Sequence, residues 1–315
     1  MYRNRLNTSY LITMLILSTI SLFFSCKNPT ANNAIATKDS LFLSSDTFDI
    51  ATENSHITTY RSFLQQLDSS TAESVSLALV EFKRTFEAKP NVLSDSAYPI
   101  FQEFIDSVEL HLNEKLLDDT TDYSAFNTNM KLPIKLELAQ MELKKNGFKF
   151  STSEGTVYIE QDRSFVTKTI LSLFSEPMQA YLLQIEKENR EGFMEDAGII
   201  ISAQKHVDRI IWYEMFIATN PNFLLIKNCK TYKKAYLTYL FTGIDNTYLY
   251  ENKDQMLLNP YFSKAYSYLL KGYPDSEAAT LILPYKQAIE QKQKSVVSEL
   301  LKKYVIKGII YSQGI

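Results

Sequence analysis

Apolar residues recur at intervals of three and four along most of the chain after residue 57, and this spacing constrains the fold more than any other feature. The clearest stripe runs from Phe101 to Leu116, and residues at this spacing line one face of an α helix. Short breaks separate the stripes, which favours an all-α array of antiparallel helix pairs. The same pattern predicts further helices at 57–67, 75–86, 134–141, 164–174, 177–191, 195–219, 229–242, 259–271, 276–289 and 291–307.

One segment changes to a two-residue period, which predicts a small β-hairpin near 148–160. Apolar residues alternate with polar ones from Phe148, a turn containing Gly155 follows, and Val157 and Ile159 then alternate in the same way. Since an isolated hairpin is only marginally stable in water, we expect these apolar side chains to pack against the helices.

The N-terminal segment combines a basic start, an apolar run and a cysteine. Arg3 and Arg5 precede the run 10–24, which is too short to cross a bilayer as a helix and fits the apolar part of a secretory signal. The run is followed by Ser25 and Cys26. This segment resembles the signal peptide of bacterial lipoproteins, in which a small residue precedes an acylated cysteine. An uncleaved membrane anchor and an ordinary secretory signal are the alternatives.

The resemblance implies that residues 1–25 are removed, that the Cys26 thiol carries a fatty acid such as palmitate, and that a membrane is the partner of the N-terminus. Lys27 follows the cysteine where some lipoproteins have Asp, which implies an outer-membrane anchor facing the periplasm. Residues 26–54 are rich in Asn, Thr and Ser and are predicted to form a flexible tether. The rest is expected to form one continuous body that comprises a helical part at 55–147, the hairpin at 148–162 and a second helical part at 163–315.

Two C-terminal stretches align at a spacing of about 53 residues. Tyr213 aligns with Tyr266, and Asn220-Pro221 aligns with Tyr273-Pro274. The pattern in each unit predicts a helix, then a break at the proline, then a second helix. The second unit, near 259–289, resembles a helical hairpin of the tetratricopeptide kind, although its spacing from the first exceeds that family's period of about 34 residues. Two ordinary helix pairs with a common turn are the alternative to a true repeat.

Composition and motifs argue against several function classes. The 8 Gly and 9 Pro are too few for an all-β sandwich or for an enzyme built on glycine loops. The net charge is -3, so we expect no nucleic-acid partner. The sequence lacks a glycine-rich phosphate loop, an H-E-x-x-H motif and a C-x-x-C motif, and it predicts no catalytic residue, metal site or cofactor. Cys229 is expected to be a small buried residue.

The strongest group of candidate ligand-binding residues lies on the predicted helix 195–219. Glu195, His206, Arg209 and Tyr213 fall at helical spacing and therefore share one face. A histidine flanked by an arginine and a hydroxyl can bind an anion or transfer protons. The alternative is a partly solvated face whose charges pair with a neighbouring helix.

A second candidate site is the turn-rich segment 243–247. Asp245 and Asn246 can bind a small polar ligand there, whereas a helix C-cap followed by a turn is the structural alternative. Many of the 20 tyrosines lie in the C-terminal half. Most are expected in the core with a hydrogen-bonded hydroxyl, and any that are exposed suit a protein or peptide interface.

The sequence therefore favours a lipid-anchored protein of the cell envelope that acts as a non-catalytic binding or scaffold module. An envelope hydrolase is the main alternative, and it requires carboxylates of the hairpin and of the helix 195–219 to meet in one cleft. Its candidate residues are Glu154 or Glu160 with Glu195, Asp196 or His206. A purely structural lipoprotein that assembles with itself is the third possibility.

Overall fold

A computed structural model describes residues 55–128 and 131–312. In this part the chain is mostly α-helical with small two-stranded antiparallel sheets, which confirms the predicted fold class. The signal peptide, Cys26 and the tether lie outside the described residues. The helices of the described part are α1 (Ser55–Leu64), α2 (Glu73–Phe86), α3 (Asn91–Asp118), α4 (Ile134–Lys145), α5 (Ser164–Ile170), α6 (Glu176–Glu191), α7 (Ala203–Thr219), α8 (Ile226–Thr242), α9 (Pro260–Gly272), α10 (Glu277–Glu290) and α11 (Lys294–Ile306).

The predicted hairpin is present as β1 (Phe148–Ser153) and β2 (Thr156–Gln161). Phe148 and Ile159 are buried against the helices, as expected from the alternation. Asn113 of α3 binds both backbone groups of one strand residue: the Ile159 N–H donates to Asn113 Oδ1 at 2.8 Å, and Asn113 Nδ2 donates to the Ile159 carbonyl at 2.7 Å. The side-chain amide thus takes the place of a neighbouring strand and holds the hairpin on α3.

Three further ribbons connect the later helices, and the sequence pattern did not predict them. Their strands are β3 (Met194–Glu195), β4 (Gly198–Ile199), β5 (Gly243–Ile244), β6 (Thr247–Tyr248), β7 (Tyr250–Asn252) and β8 (Leu257–Leu258). The prediction of a helix starting at residue 195 was therefore wrong, because α7 begins only at Ala203. Ser202 caps that helix by accepting the Lys205 N–H at 3.2 Å.

Buried tyrosines donate hydrogen bonds to backbone carbonyls in the last turn of α8. The Tyr266 hydroxyl of α9 donates to the Leu240 carbonyl at 2.9 Å, and the Tyr285 hydroxyl of α10 donates to the Phe241 carbonyl at 2.9 Å. These carbonyls belong to the last turn of a helix, where no backbone N–H is available within the helix. The prediction of buried tyrosines with hydrogen-bonded hydroxyls is confirmed at both positions.

The two breaks aligned by the proposed repeat have similar backbone geometry. Asn220 ends α7 with φ −128 and ψ 58, and Tyr273 ends α9 with φ −137 and ψ 54. Each donates its backbone N–H to the carbonyl four residues earlier. The similarity of the two turns agrees with the alignment, and the repeat itself stays a prediction.

A single cluster of buried apolar side chains extends from Tyr60 to Ile310 within the described residues. The helices before the hairpin, the hairpin and the helices after it therefore share one core. Aromatic rings dominate its first part, where Tyr60 meets Phe82 edge-on at 5.4 Å between ring centroids. Among residues 55–128 and 131–312, no helix combines the length and apolar character that crossing a bilayer requires.

Candidate functional site

Helices α6, α7 and α8 enclose a group of polar side chains that we call the α6–α8 cluster. It consists of Glu188 from α6, His206, Arg209 and Tyr213 from α7, and Tyr236 from α8, all of them buried. The three residues of α7 are three and four positions apart, so one face of that helix presents them together. The structure thus brings together three of the predicted candidates, but it places them in the interior. The alternative, a partly solvated face whose charges pair with a neighbouring helix, was wrong about solvation, whereas Arg209 does pair with Glu191 of α6.

Three neighbouring donors bind the carboxylate of Glu188. Its Oε2 atom accepts the Tyr236 hydroxyl at 2.8 Å and the Tyr213 hydroxyl at 3.2 Å, and its Oε1 atom accepts Gln184 Nε2 at 2.6 Å. Burial is the largest influence on the pKa of Glu188 and raises it, although Arg209 and the three donors favour the charged form. Both carboxylate oxygens are therefore occupied by the protein itself.

Arg209 supplies the positive charge of the cluster. Its guanidinium donates to the Tyr236 hydroxyl at 3.1 Å, to Glu191 Oε2 at 3.2 Å and to the Gly192 carbonyl at 2.7 Å. It also lies 5.8 Å from the centre of the Phe193 ring. Although burial opposes its charge, the nearby Tyr236 and Glu188 groups hold the pKa of Arg209 above its ordinary value. Tyr236 thus links the buried cation to the buried carboxylate.

His206 is neutral in this environment. Its Nε2 atom lies 2.9 Å from the Tyr236 carbonyl, which can only accept, so this nitrogen carries the proton. Its Nδ1 atom then accepts the Tyr261 hydroxyl at 3.2 Å. Burial lowers the pKa of His206 to about 4, and the charge of Arg209 adds to the effect. Both ring nitrogens are engaged, so the side chain positions α8 and α9 rather than facing a substrate.

The other three candidates, Glu195, Asp245 and Asn246, lie elsewhere, on the ribbons. Glu195 is exposed on β3, away from the face of α7 on which it was predicted. Asp245 and Asn246 form the turn between β5 and β6. The Asn246 N–H donates to the Ala197 carbonyl at 2.9 Å, and its side-chain amide donates to the Asp196 carbonyl. Asn246 therefore joins two ribbon turns.

The carboxylates of the hydrolase alternative meet only on the open surface. Desolvation and a hydrogen bond to Asp196 raise the pKa of Glu154, and both side chains are exposed at the tips of their turns. Catalytic pairs of glycosidases stand about 5–9.5 Å apart and one of them is shielded from water. Glu160 forms an ion pair with Lys149 at 3.0 Å, and His206 is buried among helices. This geometry gives the hydrolase alternative no support.

An open depression of about 510 Å³ lies beside the joined ribbon turns. Tyr239 of α8 and Ile244 of β5 contribute to its wall, and Tyr248 of β6, whose side chain is 66% exposed, stands at its side. The remaining lining residues are Met194, Ala197, Thr242, Gly243 and Asp245. The depression therefore presents aromatic and aliphatic groups together with one carboxylate, a mixture that suits a peptide or another protein.

Metal binding is not indicated in the part of the chain that the structure describes, where no three His, Cys, Asp or Glu side chains are placed around a common ion position. Cys229 is buried, as predicted, and burial raises the pKa of its thiol to about 12, which keeps it in the unreactive protonated form. No protein-family model, curated protein or solved structure matches this chain.

The sequence did not identify Glu188 and Tyr236 as members of the cluster. A usable signal exists for Glu188, which follows the buried Tyr181 by seven residues and so occupies a core position of the α6 stripe. A carboxylate at such a position requires buried partners. Tyr236 carries no comparable signal, because tyrosine is common in cores.

Proposed function

We propose that this chain is a lipid-anchored protein of the cell envelope, held at the outer membrane facing the periplasm, that binds a peptide or protein partner without catalysing a reaction. The basic start of the chain, the apolar run 10–24 and Cys26 support the anchor. The chemistry of the body supports a binding role, because Glu188, Arg209 and His206 are buried and each is hydrogen-bonded to Tyr236.

The observation that carries the binding role is the depression beside the ribbon turns. Exposed tyrosine is favourable at interfaces because its ring buries much apolar area with little loss of rotamer freedom, and its hydroxyl stays hydrogen-bonded. Tyr248 offers such a group, and Asp245 adds a charge that can select a basic or amide-bearing partner. The hydrogen bonds of Asn246 hold the two turns in place, so little ordering is lost on binding.

The anchor is tested by mass spectrometry of the processed protein purified from membranes. We expect an N-terminus at Cys26 with attached acyl chains, and we expect Cys26→Ala to abolish both acylation and cleavage, so that the apolar run 10–24 stays on the chain. Cys229→Ala is the matched control, since it removes the buried thiol and leaves the anchor cysteine. Recovery of intact residues 1–25, or of an unmodified cysteine, would contradict the anchor.

The binding role is tested by replacing Tyr248 with a photo-crosslinking amino acid in cells. We expect one defined adduct with a partner, which the additional substitution Ile244→Asp should remove by placing a charge in the wall of the depression. The same crosslinker at Val92, an exposed position on α3, is the control and should not give that adduct. Adducts only between copies of this chain would instead support the structural alternative.

A further inference from the structure

Helix α4 exposes a row of large apolar side chains on its outer face. Ile134, Leu138 and Met141 are 73%, 61% and 65% exposed, and their spacing of four and three residues places them in one line. Leu136 and Leu143 point to the opposite side and are buried in the fold. The helix is therefore apolar on two faces, of which the fold covers only one.

Lysines flank this apolar row at both ends. Lys131 lies three residues before the helix and Lys135 in its first turn, Lys144 and Lys145 lie at its end, and all four are exposed. The Lys135 ammonium donates to the Thr121 hydroxyl at 2.9 Å. The segment holds two acidic residues against these four cations, so it is positively charged although the whole chain has a net charge of -3.

Of the two acidic residues, Glu142 lies next to the end lysines. Its carboxylate is 3.9 Å from the Lys145 ammonium, and both groups are largely exposed. At this distance and exposure the ion pair is weak, so the lysine remains able to reach an external anion. The outer face of α4 thus combines an apolar centre with exposed cations at its rim.

We propose that the outer face of α4 lies on an anionic lipid surface, with the helix parallel to the membrane plane. Helices of this kind insert apolar side chains to the level of the acyl boundary while lysines reach the headgroups. The inference rests on the proposed function, since an anchor at Cys26 keeps the body close to a bilayer. It adds a second contact that gives the body a fixed orientation.

The size and charge of the face favour a membrane over a second copy of the chain. Three side chains spread over about 10 Å of helix offer much less than the roughly 800 Å² that each partner contributes to a stable protein interface. Two copies facing each other would also bring the lysine rims together, which is unfavourable. Anionic headgroups relieve this repulsion.

The test uses the processed form, residues 26–315 with Cys26→Ala, which retains the core from Tyr60 to Ile310 and has no acyl chain. Its partition onto vesicles is measured by sedimentation, with phosphatidylcholine alone and with added phosphatidylglycerol. We expect binding to the anionic vesicles. Ile134→Gln, Leu138→Gln and Met141→Gln together should weaken it by at least about tenfold, because each removes apolar area from the bilayer contact.

The matched control carries Gln at Val92, Met215 and Leu257, three exposed apolar positions on other elements. It should bind as the parent does, and circular dichroism should show that both triple variants are folded. Lys144→Glu with Lys145→Glu should weaken binding to the anionic vesicles, and it should not change the partition onto vesicles of phosphatidylcholine alone.

The proposal is refuted if the processed form does not bind anionic vesicles, or if the two triple variants bind equally. It is also refuted if light scattering shows a dimer that only the α4 variant dissociates, because a second copy would then cover this face. A failure of this membrane contact is distinguishable from a failure of the lipid anchor. The anchor is tested separately, by the mass of the N-terminal peptide that contains Cys26.

Discussion

His206 should make this protein less stable at acidic pH. Its imidazole titrates near pH 6.5 in an unfolded chain, whereas burial among α7, α8 and α9 lowers its pKa to about 4 in the folded state. Between these values the unfolded chain binds the proton and the folded chain does not, so stability falls as the pH falls through this range. Lowering the pH from about 7 to about 4.5 should therefore reduce the free energy of unfolding by roughly 2–3 kcal/mol through this residue alone.

The assay is urea unfolding at both pH values, for the parent and for His206→Gln. The variant has no group that titrates at this position, so it should lose roughly 2–3 kcal/mol less than the parent between the two conditions. The raised pKa of Glu188 acts in the opposite direction, since it favours the folded state as the pH falls, and subtracting the variant removes that contribution. Equal losses in the two proteins would refute the reasoning.

Three further substitutions test other contacts by the free energy of unfolding. Arg209→Leu leaves a buried carboxylate without its cation and should cost about 3–5 kcal/mol. Asn113→Ala leaves both backbone groups of Ile159 without their partner and should cost about 2–3 kcal/mol, with faster hydrogen exchange at that amide. Gly243→Ala should cost about 2–3 kcal/mol, because φ is 69° and the new methyl carbon would lie 2.6 Å from a backbone oxygen. Gly272→Ala, which meets open space, should change stability by less than about 1 kcal/mol.

Each of these substitutions has an outcome that contradicts its reasoning. A loss below about 1 kcal/mol for Arg209→Leu would show that the buried carboxylate does not depend on this cation. Unchanged exchange at the Ile159 amide would show that the hairpin does not depend on α3. Equal losses of stability for Gly243→Ala and Gly272→Ala would show that neither backbone conformation nor the space around the new methyl group determines the cost of the substitution.

The long helices were predictable because their ends carry local signals. The predicted helix at 177–191 corresponds to α6, which Ser175 caps and Gly192 follows at a positive φ of 66°. The predicted segment 229–242 corresponds to α8, which ends at Gly243 with a φ of 69°. In both cases the residue after the helix adopts a conformation that favours glycine, so the glycine itself predicts where the helix ends.

The short ribbons were not predictable from periodicity. Strands of two residues contain no alternation to detect, and the turn at Asp196 and Ala197 uses positive φ at two non-glycine residues. Contacts with Asn246 support that turn, and this partner lies about 50 residues later in the chain. Tertiary contacts therefore decided a local structure that the sequence pattern assigned to a helix.

The candidate site was predictable only in part. Helical spacing placed His206, Arg209 and Tyr213 on one face, which is correct, but spacing within one helix does not show which neighbours cover that face. Glu188 and Tyr236 come from two other helices and decide that the group is buried and mutually bound. The exposed row on α4 was hidden for a similar reason, since an apolar stripe looks alike whether or not another element covers it.

The hydrogen bonds that two tyrosines donate to the last turn of α8 constrain the order in which the chain folds. Tyr266 and Tyr285 lie after α8 in the sequence, so the last carbonyls of that helix gain their partners only when α9 and α10 have docked. We therefore expect the end of α8 to fray in a nascent chain that stops before Pro260. During synthesis the last turn of α8 would then lack these hydrogen bonds until the segment from Pro260 to Glu290 has been made and has docked.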